Sequence, residues 1–147
     1  MPSDLRVEHQ AEVPGRRKDL FRLVSTSDGL ARWLDGADLT SAVGGTVRLR
    51  LREAVAAGQV LAIDPPQHIS WTWDWEGAPL RVPTVVAFDL IDHAERTHMT
   101  IRHVGFRSRA QMQIHDALWR HWFGRLAAAA RREAAQHRHD TVTQPGP

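Results

Sequence analysis

Residues 108–135, SRAQMQIHDALWRHWFGRLAAAARREAA, form a proline-free run with a single glycine, Gly124. Strong helix formers dominate it. At about 100° per residue, Met112, His115, Trp119, Trp122, Phe123, Leu126, Ala129 and Ala130 share one broad face, while Gln113, Arg120, Arg131 and Arg132 look away. A helix of this span is about 40 Å long, longer than most in a small domain. Its tryptophan-bearing face needs a cover, and the residues before it are expected to supply one.

Upstream, the pattern changes from helical to alternating. Leu5, Val7, His9, Ala11 and Val13 alternate with Arg6, Glu8, Gln10 and Glu12, the period of a half-buried strand, until Pro14-Gly15 breaks it. Leu20, Phe21, Leu23 and Val24 then fall at helical spacing, predicting a short helix over 16–24. Ser25-Thr26-Ser27-Asp28 offers caps for a second over 29–34. Strands follow over 37–42, 46–53, 58–63, 68–76, 82–91 and 97–104, separated by turns such as Gly44-Gly45, Asp64-Pro65-Pro66 and Gly77-Ala78-Pro79. Val47, Leu49 and Leu51 oppose Arg48, Arg50 and Arg52, which are expected to form a solvated outer face. Consecutive strands joined by short turns imply an antiparallel meander whose inner face wraps the long helix.

The chain has 147 residues, enough for one domain with a real core. The reading is a single domain over 1–135 and a disordered tail over 136–147, where apolar periodicity stops. Cysteine is absent, which excludes disulfides, thiolate metal sites and cysteine nucleophiles. The formal charge is only +2, and acids interleave the arginines from Arg6 to Arg138, so no nucleic-acid footprint is visible. The start carries no apolar signal region, and no apolar run approaches the ~18 residues of a membrane helix. A soluble, cytoplasmic protein without a membrane partner is expected.

Several stretches together resemble a known family. They are Pro14 with LFRLVSTSDGLARW (20–33), Gly44-Gly45 before a strand, GQVLAIDPPQHISWTW (58–73) and THMTIRHVGF (97–106). His115 lies seven residues before Trp122, which precedes Leu126 by four. In order and spacing this resembles the START-like (SRPBCC) helix-grip superfamily and, within it, the Hsp90-ATPase-activator-homologue (AHSA1-like) family, over residues 5–130. His121 stands where that family usually has glycine before the tryptophan. The resemblance implies an α+β helix-grip (START/Bet v1-like) fold: six to seven antiparallel strands curved around the C-terminal helix, with two short helices after the first strand. It implies no single activity, since the family includes ligand carriers, polyketide cyclases and proteins without an assigned role.

Trp71, Trp73 and Trp75 alternate on one strand, and six tryptophans with no tyrosine is an unusual allocation for a plain core. His103 shares a face with Met99 and Ile101, and His115 sits on the helix's apolar face. The expected function is binding of a small apolar or aromatic molecule in a cavity between sheet and helix, lined by Trp33, Trp71, Trp73, Phe88, Met99, His103, His115, Trp119 and Trp122. The alternative is a cyclase-, aromatase- or hydrolase-like enzyme using His103 and His115 as acid and base. Asp74, Asp89 and Asp92 fall on the outer face or in turns, so no carboxylate pair is visible.

No nucleophile motif or phosphate loop occurs, and no cofactor is expected. His93/His98, His115/His121 and His137/His139 lack metal-ligand spacing, so no metal is expected either. A homodimer is compatible with the sequence. The family name alone implies a third class, a co-chaperone partner of an Hsp90 homologue. The eukaryotic activators carry a separate N-terminal domain for part of that job, which counts against this partner.

Overall fold

The computed structural model describes residues 5–143, with side chains through Gln136. In order, the elements are β1 (Val7–Pro14), α1 (Arg17–Leu20), α2 (Arg22–Ser25), α3 (Ser27–Leu30), β2 (Gly36–Leu39), β3 (Thr46–Leu51), β4 (Ala54–Asp64), β5 (His68–Trp75), β6 (Thr84–His93), β7 (Arg96–Val104) and α4 (Arg109–Thr143). All seven strands form one antiparallel sheet in the order β1-β7-β6-β5-β4-β3-β2. The meander from β2 to β7 is thus closed by the first strand pairing with the last. α4 packs along the inner face, and the α+β helix-grip architecture holds.

The alternation read from sequence places the side chains. In β3, Val47, Leu49 and Leu51 are buried and the three arginines exposed. Rows of partners cross the inner face, such as Val7–His103–Val86–Trp71–Val60. On α4, His115, Trp119, Trp122, Phe123, Leu126, Ala129 and Ala130 are buried, with Met112 half-buried at the end of the same stripe. Arg120, Arg131 and Arg132 are exposed.

Beyond shifted ends on β2 and β6, three details differ from the sequence pattern. The expected pair of short helices is three successive single turns, and the last begins at Ser27, because the Thr26 hydroxyl accepts a hydrogen bond from Gly29 N at 2.9 Å. Trp33 and Leu34 therefore lie in the turn after α3. β4 starts at Ala54 and not at Gly58, because the β3–β4 hairpin turns at Arg52-Glu53. Arg52 takes a positive φ of 62°, and the Asp35 carboxylate accepts its backbone N–H at 2.7 Å, supplying from a distance what a turn glycine would supply locally. Finally, α4 continues to Thr143, since alanine, glutamate and arginine sustain a helix after its apolar stripe ends. Residues 144–147 of the expected tail lie outside the described residues.

The sheet bends at β4, where the register against β5 shifts between Val60 and Ala62, leaving Leu61 as an extra residue. Just before this bulge the two strands come unusually close: a Cβ on Gly58 would stand 1.7 Å from the Thr72 carbonyl oxygen. Only glycine fits there without a backbone shift. Gly58→Ala is expected to lower stability by at least about 2 kcal/mol in urea unfolding; an unchanged midpoint would contradict this packing.

Candidate functional site

The nine residues predicted to line a cavity are all buried. Seven meet in one cluster. Phe88 lies 5.4 Å from Trp71, 6.1 Å from Trp33 and 5.9 Å from Trp119 between ring centroids, and Trp73 lies 5.3 Å from Trp119. His103 is 5.2 Å from Trp73 and 5.3 Å from His115. Met99 is buried beside these on β7, opposite Leu90. Trp122 turns elsewhere: its ring faces His121 at 5.0 Å, and the Arg125 guanidinium carbon stands 4.9 Å from its centroid.

Polar atoms in this interior are arranged by what each can donate. An indole N–H can only donate, so Trp119 Nε1, 2.9 Å from His103 Nδ1, makes that nitrogen the acceptor. The imidazole proton then sits on Nε2 and donates to Thr84 Oγ1 at 2.6 Å, and the Thr84 hydroxyl donates to the Trp73 carbonyl at 3.1 Å. A directed chain thus runs from α4 through β7 and β6 to β5. His115 repeats the logic with the other tautomer. Its Nε2 accepts from Trp75 Nε1 at 2.9 Å, and its Nδ1–H donates to the Gln111 carbonyl at 2.7 Å. Phe106 lies 4.6 Å from both imidazoles.

Burial pushes the His103 pKa well below its usual 6.5, with the neighbouring His115 adding to the shift. Burial likewise lowers His115, partly offset by the bond to the Gln111 carbonyl. A proton added to either ring would face an indole N–H, two donors in contact. Both histidines are therefore neutral clamps, and in this arrangement neither keeps an unoccupied ring nitrogen for acid–base chemistry. Trp33 Nε1 is also satisfied, donating to the Leu23 carbonyl at 2.8 Å. Trp71 Nε1 and Trp73 Nε1 are buried without a partner among the described residues. Burying an indole of about 200 Å² gains roughly 5 kcal/mol, more than the ~1–3 kcal/mol of an unpaired donor, so packing carries these two inside.

Open space lies at one end of the cluster. A concavity of about 650 Å³ sits between the β5–β6 loop and the start of α4, walled by Trp75, Leu80, Val82, Phe106 and Leu118, with Arg81 and Arg107 also lining it. None of the nine predicted residues lines it; Trp75, its hydrogen bond to His115 and its ring 5.3 Å from Trp73 join it to them. The parity of β5 pointed to Trp75. Thr84 shares the inward parity of Val86 and Phe88 on β6, whereas the loop arginines carry no periodic signal. A second concavity of about 550 Å³ lies near Gly15 and Glu133, with charges of both signs in its walls, including the Arg16–Glu95 pair at 3.6 Å.

Asp74, Asp89 and Asp92 serve backbone or arginine partners at the turns and outer face, as with Asp92 and Arg17 at 3.4 Å. Among the described residues no three potential ligands cluster around a metal position. His137 and His139 lie beyond the described side chains. No helix among the described residues is long and apolar enough to cross a membrane.

The histidine clamps predict a pH dependence. Both folded pKa values are lowered from 6.5, so below that pH the unfolded chain binds more protons than the folded one. Their contribution is complete above that pH and is lost as pH falls, with a slope of at most about 1.4 kcal/mol per pH unit for each ring. Denaturant stability is expected to decline from about pH 6.5 toward about pH 5. A His103→Gln variant should start lower at neutral pH and decline less steeply. A flat wild-type profile over that window would contradict the clamps.

Comparison with known proteins agrees with this architecture. The family model for activator of Hsp90 ATPase homolog 1-like proteins matches residues 15–131. No match was found among curated protein sequences. Among solved structures, protein MLL2253 of Mesorhizobium loti superposes with a TM-score of 0.78 at 23% identity, covering 86% of this chain and 97% of that one. DynU16, from the dynemicin biosynthetic locus, gives 0.74 at 21% identity over 86% of this chain and 47% of its own. The Aha1 protein of Colwellia psychrerythraea, solved as a dimer, gives 0.69 at 19% identity over 86% and 96%. At these identities the structural likeness speaks to fold. The family model covers most of the chain, and the protein belongs to the activator of Hsp90 ATPase homolog 1-like family.

Proposed function

We propose that this protein binds a small apolar or aromatic molecule at the end of its helix grip, in the concavity walled by Trp75, Phe106 and Leu118. The observation that carries this reading is the concavity itself. Its volume of about 650 Å³ falls in the range of ligand pockets, as does a mostly apolar wall with a few placed polar groups. A further feature favours it: Trp75 and Phe106 set broad aromatic rings in its wall.

The reading makes a direct demand on fluorescence. Because Trp75 lines the opening, occupancy is expected to quench or shift tryptophan emission saturably at micromolar concentration for some member of a panel of polyketides, flavonoids and lipids. Leu118→Asp, which places a carboxylate in the apolar wall, should weaken that binding at least about tenfold. A panel without any saturable response sinks the proposal, as does a Leu118→Asp variant that folds and binds like the wild type.

A further inference from the structure

Arg81 and Arg107 both line the apolar concavity, in a setting unlike that of several arginines elsewhere. On the outer faces, guanidiniums meet carboxylates: Arg48 donates to both oxygens of Glu76 at 2.9 Å, Arg22 and Arg32 share Glu133, and Arg102 lies between Glu8 and Asp89. Arg81 and Arg107 are exposed at the apolar concavity, and no acid lines it. Neither arginine has a hydrogen bond or ion pair among the described residues. The two acids at the end of β5 are committed elsewhere. Asp74 accepts the backbone N–H groups of Trp75 at 2.9 Å and Leu80 at 2.6 Å, which pins the loop carrying Arg81, and Glu76 is held by Arg48. The positive end of α4 opens at the same place, its first turn capped where Ser108 Oγ accepts from Gln111 N at 3.1 Å.

Two cations with no acid lining the same concavity, beside an apolar wall of low polarisability, attract an anion more strongly than they would on a flat open surface. The contrast with the Gly15–Glu133 concavity sharpens the point, because its basic residues share their walls with Asp19, Glu95 and Glu133. Resting on the ligand-binding reading above, we propose that the ligand is an amphiphilic organic acid. Its flat apolar body would lie against Trp75, Phe106 and Leu118, and its single oxyanion group would be held by Arg81 and Arg107. Guanidinium forks match a carboxylate or sulfonate in two-point geometry, which a neutral hydroxyl or carbonyl does not use.

The test compares two dyes with the same apolar body, anilinonaphthalene sulfonate and its neutral parent phenylnaphthylamine, each titrated by its own fluorescence. Wild-type protein is expected to bind both. The double variant Arg81→Gln/Arg107→Gln should weaken the sulfonate about tenfold and the neutral parent by less than about twofold. Arg132→Gln, exposed far along α4, should leave both unchanged. If the double variant fails to keep the wild-type thermal unfolding profile, the single variants, expected at about threefold each, replace it. Equal loss for both dyes, loss for neither, or equal loss of the sulfonate in Arg132→Gln overturns the anion site while leaving an apolar pocket standing. Failure of both dyes to bind wild-type protein overturns the pocket and the anion site together.

Discussion

The hydrogen bond from Trp119 to His103 determines how the helix sits in the sheet. A buried indole N–H needs an acceptor, and a buried imidazole needs both a donor and an acceptor if it is to stay neutral. The chain Trp119–His103–Thr84–Trp73 carbonyl satisfies these needs in one direction, and it crosses from α4 through three strands. Leucine at residue 103 would pack, but it would leave Trp119 N–H without an acceptor in that row. Trp75 and His115 repeat the arrangement nearer the start of α4. Two directional links therefore fix the helix's register against a surface that hydrophobic burial alone would let it slide along.

This arrangement gives the grip a filled middle and an open end. The middle of the grip is filled by aromatic rings at centroid distances of 5–6 Å, and its histidines are spent on indoles. What stays open is the end, where the β5–β6 loop and the start of α4 diverge. Trp75 belongs to both regions. One edge of its environment is the concavity, and its N–H is tied to His115.

Much of the fold was legible because its signals are periodic. Strand alternation assigned inner and outer faces correctly on β1, β3, β5 and β7, and the helical stripe from His115 to Ala130 was visible as a stripe. The turn at Arg52-Glu53 was not, because its positive φ is supported by Asp35 from another part of the chain. The site was legible only in part. Inward orientation follows from parity, but whether inward side chains fill the space or leave a pocket depends on rotamers and volumes, which no period records. His115 does stand out on an apolar face; its partner Trp75 has the inward parity of β5, but its place in the concavity wall depends on where the β5–β6 loop leaves α4. Arg81 and Arg107 lie in loops, and their significance is the lack of acids around them, a three-dimensional property.

The clamps can be read directly by nitrogen NMR of labelled histidine rings at neutral pH, where each tautomer has its own pattern of shifts and couplings. The account predicts two neutral rings of opposite tautomer, His103 protonated on Nε2 and His115 on Nδ1. An imidazolium at either position, or the same tautomer at both, would contradict it.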